Sequence, residues 1–200
     1  MSSSNKHWML GNVGRIMRGF TAKQLMVRVA EEYVWWMLRS LPGFGGVYLR
    51  YLFLKLTTRR LDGFCWIGQG CQIFNSYGLS IGRGFATNRN VLIDAIGGIE
   101  IGDDTGIGPN CVVLSHEHRM LGTGGYQEAG SYRRRPIKIG SRVWISSNCF
   151  IKAGVTLGDG AVIAACSNVL GDVAENERVI GAPARPFFQS LREALAPRGD

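Results

Sequence analysis

What the chain lacks narrows the field before any motif is read. No segment offers the roughly 18 charge-poor apolar residues that a spanning helix needs. The best candidate, 25–56, is broken by Arg28, Glu31, Glu32, Arg39, Arg50 and Lys55. Behind the first basic residues there is no uninterrupted apolar run ending in a small-residue cleavage site, so no signal peptide is expected. Histidine is scarce, at His7, His116 and His118. A catalytic zinc site takes three protein ligands and keeps an open position, and His7 lies far from the other two, so no metal is expected. Acidic residues are nearly missing from the start. Residues 1–60 hold ten Lys/Arg against Glu31 and Glu32, whereas 61–200 hold thirteen of each sign. The net charge of +8 therefore belongs to a basic N-terminal module in front of a neutral body. No groove-reading motif accompanies that charge, so nucleic acid is not an expected partner.

What is present is a repeat. From residue 139 an aliphatic side chain recurs every six positions: Ile139, Ile145, Ile151, Leu157, Ile163 and Val169. The same step runs upstream through Leu61, Ile67, Ile73 and Leu79, then Ile81, Ile93 and Ile99, then Ile101, Ile107 and Val113, with slips of two residues between blocks. Six matches neither the 3.6 of a helix nor the 2 of a half-buried strand. It fits short strands joined by tight turns, each sending one aliphatic inward, with Gly, Asp and Asn supplying the turns. A β-sandwich with evenly spaced strands would need hairpin turns at 8–12-residue intervals instead. About three hexads close one triangular coil, coils stack roughly 4.8 Å apart, and about seven coils are expected. The fold expected is all-β, a parallel β-helix with a helical N-terminal module.

The fifth position of each hexad should also point into the narrow interior and be small. Cys65, Cys71, Cys111 and Cys149 fall there beside Val143, Val155, Ala161 and Ser167, with Cys166 one place earlier. Four of the five cysteines thus read as core fillers, which argues for a reducing compartment and against disulfides.

The hexad register fails between Ser115 and Pro136, then resumes at Ile137. A long loop extruded from a regular solenoid is a functional signal. This one carries His116 and His118, and histidine is the side chain suited to proton shuttling near neutral pH. The expected division is a module over 1–60, a solenoid over 61–181 with the loop 115–136 extruded, and a partly helical tail over 182–200.

Four segments carry a family resemblance: IGRGFATNRN (81–90), IGDDTGIGPNCVVLSHEH (101–118), IGSRVWISSNCFIKAGVTLGDGAVIAA (139–165) and VIGAPARPF (179–187). Together they resemble the hexapeptide-repeat acyltransferases, closest to the sugar O-acetyltransferases of the maltose, galactoside and nodulation type and those of polysaccharide biosynthesis. The resemblance implies a left-handed β-helix, a homotrimer, and acetyl-CoA held in clefts between subunits. It also implies a catalytic histidine eight residues after the Asn of the IGPN segment. Counting from Asn110 gives His118, with His116 two residues earlier as a neighbouring contact. Asn88 and, one position displaced, Asp94 match acceptor-binding residues. Trp144, the backbone N–H groups of Ser147 and Ala165, and Arg185 match cofactor contacts. The activity implied is acetyl transfer from acetyl-CoA to a saccharide hydroxyl. N-acetylation of an amino-sugar nucleotide, or of an antibiotic, stands as the alternative.

In the basic module, Thr21 and Gln24 form a capping-box pattern that opens a helix to about Ser40, where Leu41-Pro42-Gly43 stops it. Ala22, Leu25, Met26, Val29, Tyr33, Trp36 and Met37 give its expected buried stripe. A second apolar run follows from Val47 to Leu56. The module reads either as a cap on the open end of the solenoid or as a peripheral contact with an anionic membrane. A cytoplasmic protein, at the inner face of the membrane in the second case, is the expectation.

Overall fold

The computed structural model describes residues 19–118 and 132–189. Its body is a parallel β-solenoid of three faces, and the six-residue step is its geometry. The first face stacks Arg60–Leu61, Leu79–Ile81, Ile99–Ile101, Ile137–Ile139 and Thr156–Leu157. The second stacks Trp66–Ile67, Ala86–Thr87, Gly106–Ile107, Trp144–Ile145, Val162–Ile163 and Arg178–Ile180, and Arg185–Pro186 pairs antiparallel at its end. The third stacks Gln72–Phe74, Leu92–Asp94, Val112–Leu114, Phe150–Ile151 and Asn168–Val169. Each face aligns its inward aliphatics in one column: Leu61, Ile81, Ile101, Ile139 and Leu157 on the first face, and Ile73, Ile93, Val113, Ile151 and Val169 on the third. These side chains are buried except Leu61 at the open end, which is partly so, and all eight residues expected at fifth positions are buried.

Sheets of five and seven strands make about five coils, fewer than the seven or so expected from length. The first coils take twenty residues each, from Leu61 to Ile81 to Ile101, and eighteen are needed later, from Ile139 to Leu157. The two extra residues lie at the corner between the third and first faces, where Asn75 adopts a left-handed conformation and Ser76–Gly78 forms a 3-10 turn. The expected loop over 115–136 leaves from this same corner, two stacked coils along; its middle, 119–131, falls outside the described residues.

The basic module is helical and covers the first coil. Helix α1 (Ala22–Ala30) starts on the expected capping box: Gln24 N–H donates to Thr21 Oγ1 at 3.3 Å and Thr21 N–H to Gln24 Oε1 at 2.8 Å. A π-helical turn (Glu31–Trp35) follows, then α2 (Trp36–Leu38) and, after Pro42, α3 (Gly43–Thr57). Here the structure corrects the sequence reading. The buried side chains of the first helical stretch are Val27, Glu31 and Trp35, while Met26, Val29, Tyr33, Trp36 and Met37 of the expected stripe are exposed. Polar docking sets that rotation. Glu31 accepts the N–H groups of Asn75 and Ser76 at 2.8 and 2.7 Å, and Trp35 Nε1 donates to the Cys71 carbonyl at 3.1 Å. The π turn adds a residue to the helical period in the same place, so a 3.6-residue pattern drawn across it loses phase.

Arg50 fastens α3. It is 1% exposed and has no carboxylate within ion-pair distance among the described residues; its guanidinium donates to the carbonyls of Ile67, Leu38 and Leu41 at 2.8–2.9 Å. Removing it strands the Ile67 and Leu41 carbonyls and leaves a void, a combination that costs about 3 kcal/mol or more. Arg50→Ala is therefore expected to lower the denaturant midpoint clearly, and a midpoint equal to the wild type would contradict this role for the clamp.

Candidate active site

The third–first corner gathers most of the ionisable chemistry. Asn75 is its hub: Arg28 Nη1 donates to Asn75 Oδ1 at 3.3 Å, Tyr77 donates to the same oxygen at 2.8 Å, and Asn75 Nδ2 donates to Asp94 Oδ1 at 2.8 Å. Asp94 Oδ1 also accepts the Ile96 N–H at 3.0 Å. Asp94 Oδ2 faces His116 Nδ1 at 3.7 Å, too long for a hydrogen bond.

His116 and His118 lie on a short strand, His116–His118, that pairs antiparallel with Tyr132–Arg134. Residues opposite one another share a face of such a ribbon, and neighbours alternate. The two histidines consequently sit on one side with Tyr132. The ring centroids are 5.8 Å apart for His116 and His118, and 5.4 and 5.8 Å from Tyr132. His116 is half-buried and His118 exposed. Glu117 points to the other side, where Lys152 reaches it at 3.2 Å.

The other expected residues lie one face away, at the corner between the second and third faces. Asn88, Gly108, Ser146 and Ala164 stack there, each donating its N–H to the next coil. Beside them stand Arg89, Pro109, Ser147 and Ala165. Among the described residues the N–H groups of Ser147 and Ala165 meet no acceptor, so both remain available to a ligand along that edge. Below the corner a groove of about 590 Å³ is lined by Phe44, Trp66, Asn88, Arg89 and Trp144 among others. Trp144 is half exposed and lies flat across Gly106, where an added Cβ would meet its ring at 2.8 Å. Arg185 stands apart at the end of the second face, its Nη1 donating to the Ala184 carbonyl at 3.2 Å.

The chain thus unites His116, His118 and Asp94, and separately Asn88, Trp144, Ser147 and Ala165. It does not bring the two sets together. Sequence reasoning missed Arg28, Asn75, Tyr77, Tyr132 and Arg134. The two-residue slip at Asn75 was the available signal for part of this group, since it marks the corner from which the histidine loop also departs.

A three-faced parallel solenoid of six-residue steps, with paired histidines on a loop from one corner, defines a class. The chain is similar in sequence to curated O-acetyltransferases and in fold to a solved acetyltransferase of this kind. Residues 136–171 match the family model described as bacterial transferase hexapeptide (six repeats). The galactoside O-acetyltransferase of Escherichia coli (strain K12) is 40% identical over 121 residues, 56% of each chain. Nodulation protein L of Rhizobium meliloti (strain 1021) is 38% identical over 54% of this chain and 58% of its own. The chain spans somewhat over half the length of these curated relatives. A solved galactoside acetyltransferase in complex with coenzyme A superposes with a TM-score of 0.74 at 28% identity, over 84% of this chain and 82% of that one.

The cysteines take no part in this chemistry. Cys65, Cys71, Cys111 and Cys149 are buried, and burial pushes the Cys65 thiol up to about 12. No group of three His, Cys, Asp or Glu arranged to hold a metal occurs among the described residues. Cys166 is exposed, in a left-handed turn next to Ala165. A maleimide added to the native chain is expected to label Cys166 alone; mass spectrometry showing two or more labelled cysteines before unfolding would contradict the buried assignment.

Proposed function

We propose that the protein transfers an acetyl group from acetyl-CoA to a hydroxyl of a saccharide. The observation that carries the reading is the His116–His118 ribbon, braced against Asp94 on the corner of a hexapeptide solenoid. His118, the more accessible imidazole, removes the proton from the acceptor hydroxyl as its oxygen attacks the thioester carbonyl. Charge then develops on the carbonyl oxygen, and a preorganised donor is needed there; the Ser147 N–H takes that role. Collapse of the tetrahedral adduct breaks the carbon–sulfur bond, and the imidazolium returns its proton to the departing thiolate. The Ala165 N–H holds the pantetheine arm, Trp144 flanks the cofactor groove, Asn88 and Asp94 hold acceptor, and Arg185 reaches a cofactor phosphate. His116 orients the acceptor beside the base.

The two half-sites lie on different corners of one prism. A homotrimer supplies the missing half from a neighbour, and the site assembles between subunits. Nitrogen acceptors, such as an amino-sugar nucleotide or an antibiotic, run through the same chemistry, and a screen of acceptors by thiol release separates them. A positioned general base contributes about 10²–10⁴-fold. His118→Ala is expected to lose that much of kcat with KM for acetyl-CoA little changed, while His116→Ala loses less. Near-normal turnover by His118→Ala beside a dead His116→Ala would assign the base to His116 instead.

The protein also works at a membrane surface in this reading, on the inner, anionic side. No helix among the described residues is long and apolar enough to cross a bilayer. The outward stripe of Met26, Tyr33, Trp36 and Met37 continues into Phe44, Tyr48, Leu52 and Leu56 on α3. Lys23, Lys55, Arg59 and Arg60 are exposed around it, and Glu32 is the one exposed carboxylate between residues 19 and 60. Apolar and aromatic side chains flanked by cations suit an anionic lipid interface. The full chain is expected to float with vesicles containing acidic phospholipid, and Trp36→Glu with Met37→Glu to stay in the pellet. Equal flotation of the two proteins would remove this surface as the contact.

A further inference from the structure

Acetyl transfer as described leaves several groups at the third–first corner without a task. Arg28, from the N-terminal helix, and Arg134, from the far strand of the histidine ribbon, converge on one ring. Their guanidinium carbons lie 4.7 and 5.7 Å from the Phe20 centroid. Both also act on Tyr77: burial pushes its phenol up, and the two positive charges oppose that shift. Like charges so placed repel each other, yet among the described residues neither arginine lies within ion-pair distance of a carboxylate. Two carboxylates stand at the corner: Asp94 is engaged by Asn75, the Ile96 N–H and His116, and Glu31, which Arg28 attracts without pairing, is held by the N–H groups of Asn75 and Ser76.

Arg134 shares a face of the ribbon with the histidines. The ribbon pairs His116 with Arg134 and His118 with Tyr132, so Arg134 shares the face that carries both imidazoles. Arg133 lies on the opposite face with Glu117. Arg28 enters from the helix side and donates to Asn75 Oδ1; Asn75 donates in turn to Asp94, whose other oxygen lies 3.7 Å from His116 Nδ1. Two positive charges, on Arg28 and Arg134, therefore adjoin the acceptor side of the proposed base. They are separate from the groove at the second–third corner, where the cofactor is placed.

From this geometry we infer that Arg28 and Arg134 form a phosphoryl-binding subsite, and that the acceptor is a phosphorylated saccharide. Its phosphate or diphosphate rests on the two guanidiniums while a sugar hydroxyl reaches His118. Two planar cations match the charge and the paired oxygens of such a group better than they match a neutral glycoside. The inference rests on the acetyl-transfer reading for what happens to the hydroxyl, though not for the binding of the anion.

Calorimetric titration of the full chain with inorganic diphosphate, coenzyme A being present to fill the cofactor groove, tests the subsite directly. Binding is expected, and Arg134→Gln should weaken it at least about tenfold, the least that a charge-assisted hydrogen bond contributes. Arg133→Gln removes the same charge from the other face of the ribbon and should bind as the wild type does. A second arm compares kcat/KM for one sugar offered free, as its nucleotide diphosphate and as its polyprenyl diphosphate in micelles. A phosphorylated form should be preferred, the favoured carrier identifies the source, and Arg134→Gln should shrink the preference. Absence of diphosphate binding, or equal binding by both variants, overturns the subsite. Diphosphate binding that depends on Arg134 but comes with no acetyl transfer to any acceptor upholds the subsite and overturns the catalytic reading.

Discussion

The parallel stacking of coils is the constraint from which the rest of this molecule follows. Each coil must hydrogen-bond to the coils above and below and place one branched aliphatic per face in a narrow prism. A residue that slips by one position turns its side chain outward, as in any strand. The columns Leu61–Leu157 and Ile73–Val169 show the result, an interior of repeating Ile, Val and Leu with small Cys, Ala and Ser between them. Where Thr87 enters the second face, its hydroxyl accepts the Gly68 N–H and meets Cys71 Sγ at 3.3 Å, so the exception is satisfied inside the ladder.

Such a stack tolerates insertion at its corners, because the ladder needs pairing along the faces alone. The third–first corner carries all of the elaboration described above: two extra residues in the early coils, then the histidine ribbon. Ser115 shows how the stack survives the excursion. It donates its N–H and hydroxyl to the Asp94 carbonyl at 3.0 and 2.8 Å, and its own carbonyl receives the Arg135 N–H at 2.9 Å when the chain returns. The two histidines are thereby presented on an edge anchored to the stack, a common division of labour between scaffold and loop.

The N-terminal helices answer to the same stack. They shield the first coil through Trp35, Phe53 and Leu54, which join the solenoid core. Their rotation is decided by Glu31 on the turn at Asn75 and by Arg50 on the carbonyl of Ile67. Two polar anchors outweigh a wider apolar face here because they satisfy backbone groups that would otherwise be buried without partners. The apolar stripe is left outside, next to the exposed lysines and arginines of the module.

The six-residue period, its small fifth positions and its single long break were legible in the amino-acid sequence, because each side chain's inward or outward direction repeats with the chain itself. The capping box at Thr21 was legible for the same reason, being a local hydrogen-bond pattern. Local pattern also singled out His116 and His118, the histidines within the repeat. What only the tertiary structure decided is everything that depends on which corners coincide. Asn75 lies nineteen residues before Asp94 and forty-seven after Arg28, and no periodicity relates the three. Stacking puts a turn, a strand end and a helix side by side, and the ribbon register adds Arg134 to the face of the histidines. The separation of Asn88 and Ser147 from His118 by one face of the prism was equally hidden, because a repeat records the spacing of residues along the chain and not the corner each one occupies.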